Sequence, residues 1–258
     1  MSERDGHQPG VPCWVDVLAP DPAAAVGFYG DVLGWEFDGP GPGQYFVARV
    51  GGRDVAGVGG QPGGDAPVAW NTYVSVSSVD WAAEAASAAG GQVLVAPFDV
   101  LPAGRVAVIA DPSGAALGLW EPRDRRGAQL VNEPSAWAMS MLHSSQPEAS
   151  EAFYREVFGW DSEPFGPPGM KLFRLPGYVG GEPQQPVPRD VVAAMAPADG
   201  DSYWSVDFWV DDADSVAEAT ARLGGRVIAA PSDAGGMRQA VLADPHGAAF
   251  SVTTAPHG

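Results

Sequence analysis

The sequence is short of lysine, cysteine and histidine, and each shortage narrows what the protein can do. Lys171 is the only lysine among 258 residues, and the net charge is −18. A charge of this sign repels nucleic-acid phosphates and anionic membrane surfaces, which predicts no nucleic-acid partner and no membrane partner. The same charge favours a neutral or cationic small molecule as the ligand.

Further absences concern compartment and chemistry. Cys13 is the only cysteine, so no internal disulfide can form, as is typical of a reducing compartment. The chain has no apolar run of about 18 residues and no apolar signal region, so we expect a cytoplasmic protein. It also lacks a nucleophile elbow, a Walker loop and a dinucleotide fingerprint, so no cofactor is expected.

What the sequence does contain is an internal repeat. The pattern at positions 12–35 recurs at 137–160. Three motifs recur in order: Phe28-Tyr29 and Phe153-Tyr154, Gly34-Trp35 and Gly159-Trp160, and the turns Asp111-Pro112-Ser113-Gly114 and Asp244-Pro245-His246-Gly247. The repeat predicts two modules in tandem, residues 1–128 and 129–258.

Each module divides further into two units with the predicted order β-α-β-β-β, at about 11–62, 67–122, 135–186 and 200–254. Asp21 and Asp80 are placed to cap the first two helices, and Gly34 to end the first. Segments 121–134 and 176–200 are interpreted as linkers or loops, as is the glycine-rich stretch 57–64. His7 is expected to lie in a frayed terminus.

This order of motifs resembles the vicinal oxygen chelate superfamily, which includes glyoxalase I, extradiol dioxygenases and bleomycin-resistance proteins. The motifs that carry the resemblance are strand, Asp-Pro, helix, Phe-Tyr and Gly-Trp in both halves, and the Asp-Pro-x-Gly turn before the last strand. The resemblance covers nearly the whole chain. It implies an α+β fold, in which two glyoxalase-like modules each pair two βαβββ units into a curved sheet around a cleft, with the helices on the outer faces.

The resemblance also implies metal ligands, and this sequence lacks them. The three matching positions hold Trp14 and Met139, Asn71 and Ser205, and Gly118 and Ser251. Asp54 lies near a fourth position. A divalent metal needs about three or four converging N, O or S donors. We therefore predict that neither module holds a metal.

Strand alternation predicts which side chains line the clefts instead, because every second residue shares a face. The candidate ligand-binding residues are Trp14, Asp16, Asn71, Tyr73 and Trp120 in the first module, and Met139, Met141, His143, Ser205, Asp207 and Trp209 in the second. The intervening positions, such as Val15 and Phe208, are expected to pack under the helices. An alternative is that the aromatic and methionine side chains simply fill the cleft or form an interface between modules.

Three functions remain open from the sequence. The first is a metal-independent binding protein, as the bleomycin-resistance members are, that sequesters a hydrophobic or aromatic and possibly cationic small molecule such as an antibiotic and confers self-resistance. The second is a metal-independent lyase or isomerase with Asp16, Asp207 or His143 as general base. The third is a stress protein with vestigial clefts. A monomer and a homodimer are both compatible with the sequence.

Overall fold

The described chain forms two eight-stranded mixed sheets, one per repeat, with two helices each. The structure is a computed structural model that describes residues 3–61, 63, 67–180, 189–234 and 236–254. The α+β fold of paired βαβββ units is confirmed. None of the helices in the described chain has the length and apolar character needed to span a membrane.

The first sheet takes its strands from residues 12–122. Its elements are β1 (Pro12–Ala19), α1 (Pro22–Leu33), β2 (Glu36–Gly41), β3 (Tyr45–Val50), β4 (Arg53–Gly60), β5 (Trp70–Ser75), α2 (Val79–Ala88), β6 (Gln92–Val100), β7 (Gly104–Ala110) and β8 (Ala116–Pro122). A short 3-10 helix, Pro42–Gln44, joins β2 to β3.

The second sheet repeats this order over residues 137–254. Its elements are β9 (Trp137–Ser144), α3 (Pro147–Phe158), β10 (Asp161–Pro164), β11 (Lys171–Arg174), β12 (Val191–Pro197), β13 (Tyr203–Val210), α4 (Ala213–Arg222), β14 (Arg226–Ala234), β15 (Met237–Ala243) and β16 (Ala249–Thr254).

Local sequence explains where the first helices begin and end. The Asp21 carboxylate accepts a hydrogen bond from the Ala24 backbone N at 3.0 Å, and Gly34 ends α1 at a φ of 69°, as predicted. The prediction for α2 was wrong in detail. Its N-cap is Ser78, whose hydroxyl accepts from the Trp81 backbone N at 3.3 Å, so Asp80 lies inside the first turn.

The first strand of every unit lies at the centre of its sheet. The strand orders are β2-β3-β4-β1-β5-β8-β7-β6 and β10-β11-β12-β9-β13-β16-β15-β14. β1 and β5 run antiparallel, which places Asp16 opposite Asn71, and β9 and β13 do the same, which places Met139 opposite Asp207. Each cleft therefore forms within one module, between its own two units.

The helices cover the core-side faces of the sheets, opposite the clefts, as expected. α1 also packs against α4 and α2 against α3, so the helices take part in the contact between the two modules. Burial of their apolar stripes against the other module is the physical reason, since two small modules gain a shared core this way.

The repeated motifs meet across this module interface. The Tyr29 hydroxyl donates to Asp244 Oδ2 at 3.0 Å and accepts from Trp70 Nε1 at 3.0 Å. In the other module, Tyr154 accepts from Trp204 Nε1 at 3.0 Å, and Tyr154 lies beside Asp111. The Phe-Tyr and Asp-Pro-x-Gly motifs thus serve packing and module contact.

The predicted split between cleft and core residues is confirmed on the core side. The intervening strand positions are fully or almost fully buried: Val15, Val74, Leu117, Leu119, Phe208, Phe250 and Val252. Trp35 and Trp160 are also buried, as expected for packing residues. The strand-opening residues Trp70 and Trp204, which the sequence left ambiguous, belong to the core as well.

The sequence analysis predicted two irregular segments that are ordered in the structure. His7 does not lie in a frayed end, because its Nε2 lies 3.0 Å from the Ala128 carbonyl, and Trp160 Nε1 donates to Gly10 O at 2.7 Å. The N-terminal segment therefore reaches the second module. β12 falls inside the segment interpreted as a loop, and its buried apolar run extends the third unit to Pro197.

Candidate functional site

The second module contains an open cavity of about 430 Å³. All six candidate residues of that module line it: Met139, Met141, His143, Ser205, Asp207 and Trp209. The alternation of β9 and β13 brings them to one face, as the sequence predicted. The described residues around the cavity belong to the second module, apart from four that the N-terminal segment contributes, among them Arg4 and His7.

The cavity walls are mostly apolar and polarizable. Besides the two β9 methionines, they include Trp137, Phe165, Met170, Tyr178, Trp209 and Met237. Methionine adapts to irregular shapes and makes favourable contacts with aromatic rings, and aromatic side chains present broad flat surfaces. Such walls suit a flat, largely apolar molecule.

Asp207 places a single carboxyl group against this apolar space. Thr253 Oγ1 donates to Asp207 Oδ1 at 2.8 Å, and no other described side chain donates to the carboxylate. Burial raises the pKa of Asp207 from 3.8 to about 7, and the Thr253 hydrogen bond opposes that rise only in part. Asp207 therefore changes charge near neutral pH.

His143 is held by two neighbours at another part of the cavity wall. Its Nε2 lies 3.0 Å from Ser205 Oγ, and its ring stacks on Tyr203 with centroids 4.5 Å apart. Burial lowers the pKa of His143, so the imidazole is neutral at pH 7. The Ser205 hydroxyl also lies 3.4 Å from the Met141 carbonyl oxygen, which accepts from it.

The corresponding space of the first module is occupied by its own side chains. We call Trp14, Asp16, Tyr45, Asn71 and Tyr73 the first-module cluster. The Asp16 carboxylate accepts from Tyr45 at 3.0 Å, from Asn71 at 2.9 Å and from Tyr73 at 3.2 Å, while Trp14 Nε1 donates to Tyr45 at 2.8 Å. Burial raises the pKa of Asp16 to about 6, against these three donors.

Three glycines allow the cluster to pack so closely. A Cβ at Gly57 would lie 1.9 Å from the Tyr45 hydroxyl, one at Gly59 2.7 Å from the Tyr45 ring, and one at Gly118 2.1 Å from the Tyr73 ring. Trp120 adjoins the cluster through Arg125, whose carbonyl accepts from Trp120 Nε1 at 2.9 Å and whose guanidinium lies 5.7 Å from the Trp14 ring. A ligand-binding role of the five first-module candidates stays a prediction, and it requires these side chains to move.

Differences between the repeats explain why one cleft is filled and the other open. The cluster residues Trp14, Asp16, Tyr45, Asn71 and Tyr73 correspond to Met139, Met141, Met170, Ser205 and Asp207. Three aromatic side chains are thus replaced by two methionines and an aspartate. The hydrogen-bonded network around a buried carboxylate has no counterpart, and its space becomes part of the cavity.

The residues present do not fit a divalent metal. Within the described parts of the chain, no three or more His, Cys, Asp or Glu side chains converge as a metal site requires. Asp54, near the fourth ligand position, is engaged by Arg49 at 2.8 Å and by Arg125 at 3.0 Å. The donor set thus departs from that of metal-using relatives in both modules.

Sequence reasoning missed the residues that reach the cavity from outside the two central strands. These include Arg4, His7, Tyr178 and Arg189. Arg4 and His7 arrive on the N-terminal segment, and Tyr178 and Arg189 come from a segment interpreted as a loop. No periodicity marks such residues, because their position depends on how distant segments fold onto the second sheet.

Asp207 is expected to make stability depend on pH. Its folded-state pKa lies above its unfolded value of 3.8, so the native chain keeps this proton longer, and the free energy of unfolding falls as pH rises through the range from about 4 to about 7. Asp207→Asn removes this dependence. Urea unfolding should show the variant gaining about 2–4 kcal/mol relative to the parent between pH 5 and pH 8.

The parent must be compared with Asp207→Asn because other groups titrate in the same pH range. The lowered pKa values of His7 and His143 give the opposite slope below their unfolded values, and Asp16 gives the same slope as Asp207 up to about pH 6. The exposed Asp199 provides a matched control as Asp199→Asn. If the free energy of unfolding depends on pH in the same way in the parent and in Asp207→Asn, the raised pKa of Asp207 would be contradicted.

Both halves of the chain match known protein families. Residues 13–119 match the family model described as Glyoxalase/Bleomycin resistance protein/Dioxygenase superfamily, and residues 126–253 match the one described as Glyoxalase-like domain. The chain belongs to this superfamily.

Individual relatives match nearly the whole chain. It is 37% identical to "Putative glyoxylase CFP32" of Mycobacterium tuberculosis, over 98% of this chain and 97% of that protein. It is 32% identical to "Anthracycline biosynthesis protein DnrV" of Streptomyces peucetius, over 97% and 95% of the two chains. The Mn(II)-bound glyoxalase of Novosphingobium aromaticivorans shares the fold, with a TM-score of 0.67 at 18% identity over 97% of this chain and 83% of that one.

Proposed function

We propose that the second module is a metal-independent binding site for a flat, mostly apolar small molecule. The observation that carries the proposal is the open cavity of about 430 Å³, lined by methionine and aromatic side chains at positions where the first module is filled. The first module acts as a packed scaffold whose helices support the second. Sequestration of an aromatic natural product, as in self-resistance, is the biological role that such a site serves.

The relatives support this ligand class. DnrV is named for anthracycline biosynthesis, and anthracyclines are flat polycyclic aromatic molecules. Aromatic contacts contribute about 0.5–1.5 kcal/mol each beyond the burial of area, so a few of them suffice for micromolar affinity. A cationic group on the ligand would be stabilised by Asp207 once that carboxyl is ionised, above about pH 7.

N-phenyl-1-naphthylamine is a suitable neutral probe, because its fluorescence rises in apolar surroundings. We expect it to bind saturably with micromolar affinity, and Trp209→Ala to weaken that binding about tenfold through loss of an aromatic wall. Fluorescence titration measures both values. Excess EDTA should leave the affinity unchanged.

Trp14→Ala is the matched control in the closed module. Trp14 is 6% exposed and its indole Nε1 donates to the Tyr45 hydroxyl, so we expect this variant to lose stability and keep its affinity for the probe. Failure of the parent protein to bind any aromatic probe saturably would reject the proposal and favour vestigial clefts. Equal affinities of the parent and Trp209→Ala would place the site elsewhere.

A second candidate, a metal-independent isomerase or lyase, is favoured by Asp207. A carboxyl whose pKa is about 7, facing an apolar cavity, can accept a proton from a substrate at neutral pH. Asp207→Asn separates the candidates, because it should retain the neutral probe yet remove proton transfer. Deuterium incorporation into aromatic ketones in heavy water is the measurement, and its absence in the parent would reject this candidate.

A further inference from the structure

A second space of about 460 Å³ adjoins the cavity of the second module. Five residues line both spaces, so the two spaces adjoin there, and we call these five the rim: Arg4, His7, Tyr178, Gly180 and Arg189. The rim differs from the cavity walls in carrying two guanidinium groups. A ligand that extends from the cavity toward the second space would pass the side chains of the rim.

The two rim arginines have no carboxylate partner among the described residues. Arg4 Nη1 donates to the Glu3 carbonyl at 3.1 Å, and Arg189 Nε donates to the Gly180 carbonyl at 3.2 Å. Most of the other arginines form ion pairs, which is expected in a chain of charge −18: Arg49, Arg53, Arg105, Arg123, Arg125, Arg155, Arg174 and Arg238. Arg126, Arg222 and Arg226 also lack an ion pair among the described residues, but none of these three lines the cavity or the adjoining space.

The backbone around both arginines is held in place. Arg4 N donates to Gln129 O at 2.9 Å, and Glu3 forms a β-bridge with Leu130. Gly180 N donates to Arg189 O at 2.7 Å. Segments distant in sequence thus bring the two guanidinium groups to the rim, and an anchored backbone reduces the entropy lost when an anion binds.

Acidic residues flank Arg4 in the sequence, where Glu3 is paired with Arg53 and the exposed Asp5 forms no ion pair with Arg4 among the described residues. Asp190, next to Arg189, is paired with Arg174. His7 sits beside Arg4, and burial followed by that positive charge lowers its pKa, while the Ala128 carbonyl raises it. His7 is thus neutral at pH 7 and adds no negative charge.

We propose that the rim is an anion subsite, in which Arg4 and Arg189 bind an acidic group of the carboxylate or sulfonate class on the outer end of the ligand. The inference rests on the proposed function, since the apolar body of the ligand fills the cavity. It narrows the ligand class to aromatic acids. Guanidinium groups suit this role because they form paired, charge-assisted hydrogen bonds with planar oxyanions.

Two probes with one skeleton separate this proposal from the binding function itself. 8-Anilinonaphthalene-1-sulfonate carries a sulfonate that N-phenyl-1-naphthylamine lacks. We expect the parent protein to bind the sulfonate about tenfold more tightly than the neutral probe at low salt, and this preference to shrink as salt screens the charges. Fluorescence titrations of both probes measure the ratio.

Arg4→Gln and Arg189→Gln should each weaken sulfonate binding about three- to tenfold and leave the neutral probe within twofold. The double variant should show no preference. Arg222→Gln is the matched control, since it removes the same charge from an exposed arginine that forms no ion pair among the described residues.

The possible results distinguish the anion subsite from the binding function on which it rests. If the neutral probe binds and the parent shows no preference for the sulfonate, the anion subsite is wrong and the binding function stands. If the rim variants weaken both probes equally, the arginines support the structure of the cavity and do not bind the anion. If neither probe binds saturably, both proposals fail.

Discussion

Ser251→Trp is expected to weaken binding of N-phenyl-1-naphthylamine at least about 100-fold, the largest effect on binding that the structure indicates. Ser251 is half-buried on β16, lies beside Asp207 in the sheet register and lines the cavity. An indole at this position would enter the apolar space that the ligand needs. Strands accept tryptophan readily, so we expect the free energy of unfolding to change by less than about 1 kcal/mol.

Fluorescence titration and urea unfolding together test this expectation. Ser232→Trp provides the control, because Ser232 is exposed on β14 and does not line the cavity. That variant carries the same added indole and should bind as the parent does. Retention of affinity by Ser251→Trp within about tenfold would show that the probe binds outside the cavity.

Much of the candidate site follows from strand period alone. Alternation along β13 predicts that Asp207 and Trp209 share the cleft face and that Phe208 faces the core, and the structure agrees. A period of two depends only on backbone geometry, so it can be read without knowledge of the tertiary fold.

Strand alternation could not predict that the cleft of the first module is filled by its own side chains. Tyr45 reaches the first-module cluster from β3, and its ring covers Gly57 and Gly59. Gly59 was interpreted as a loop residue, yet it belongs to β4, as Gly57 does. Glycine inside a strand marks the close approach of another group, and that signal was present in the sequence. Which side chain makes the approach depends on the tertiary fold.

No local sequence pattern predicts the rim. Arg4 and Arg189 are 185 positions apart and meet only because the N-terminal segment crosses onto the second module. The net charge favoured a neutral or cationic ligand, whereas the local arrangement offers two arginines at the rim and one carboxyl at Asp207. Short-range geometry outweighs net charge here, because exposed charges more than about 10 Å away are largely screened by salt.

Gly118→Val is expected to destabilise the protein by about 3–5 kcal/mol, the largest effect on folding that we predict. A Cβ at position 118 would lie 2.1 Å from the Tyr73 ring, which must then shift. Overpacking costs about 1–3 kcal/mol, and a hydrogen bond to a charged group adds about 1.5–3 kcal/mol when it is lost. Tyr73 donates such a bond to Asp16, so both costs arise together.

A double variant tests the physical cause. Tyr73→Ala removes the ring that the valine would strike, so adding Gly118→Val to it should cost less than about 1 kcal/mol, a strongly non-additive result in urea unfolding. Ser251→Val, at the matching position of the open module, should also cost less than about 1 kcal/mol, because the cavity provides room. If Gly118→Val is as harmless as Ser251→Val, the first-module cluster does not fill its cleft, and the difference between the modules on which the binding proposal rests would disappear.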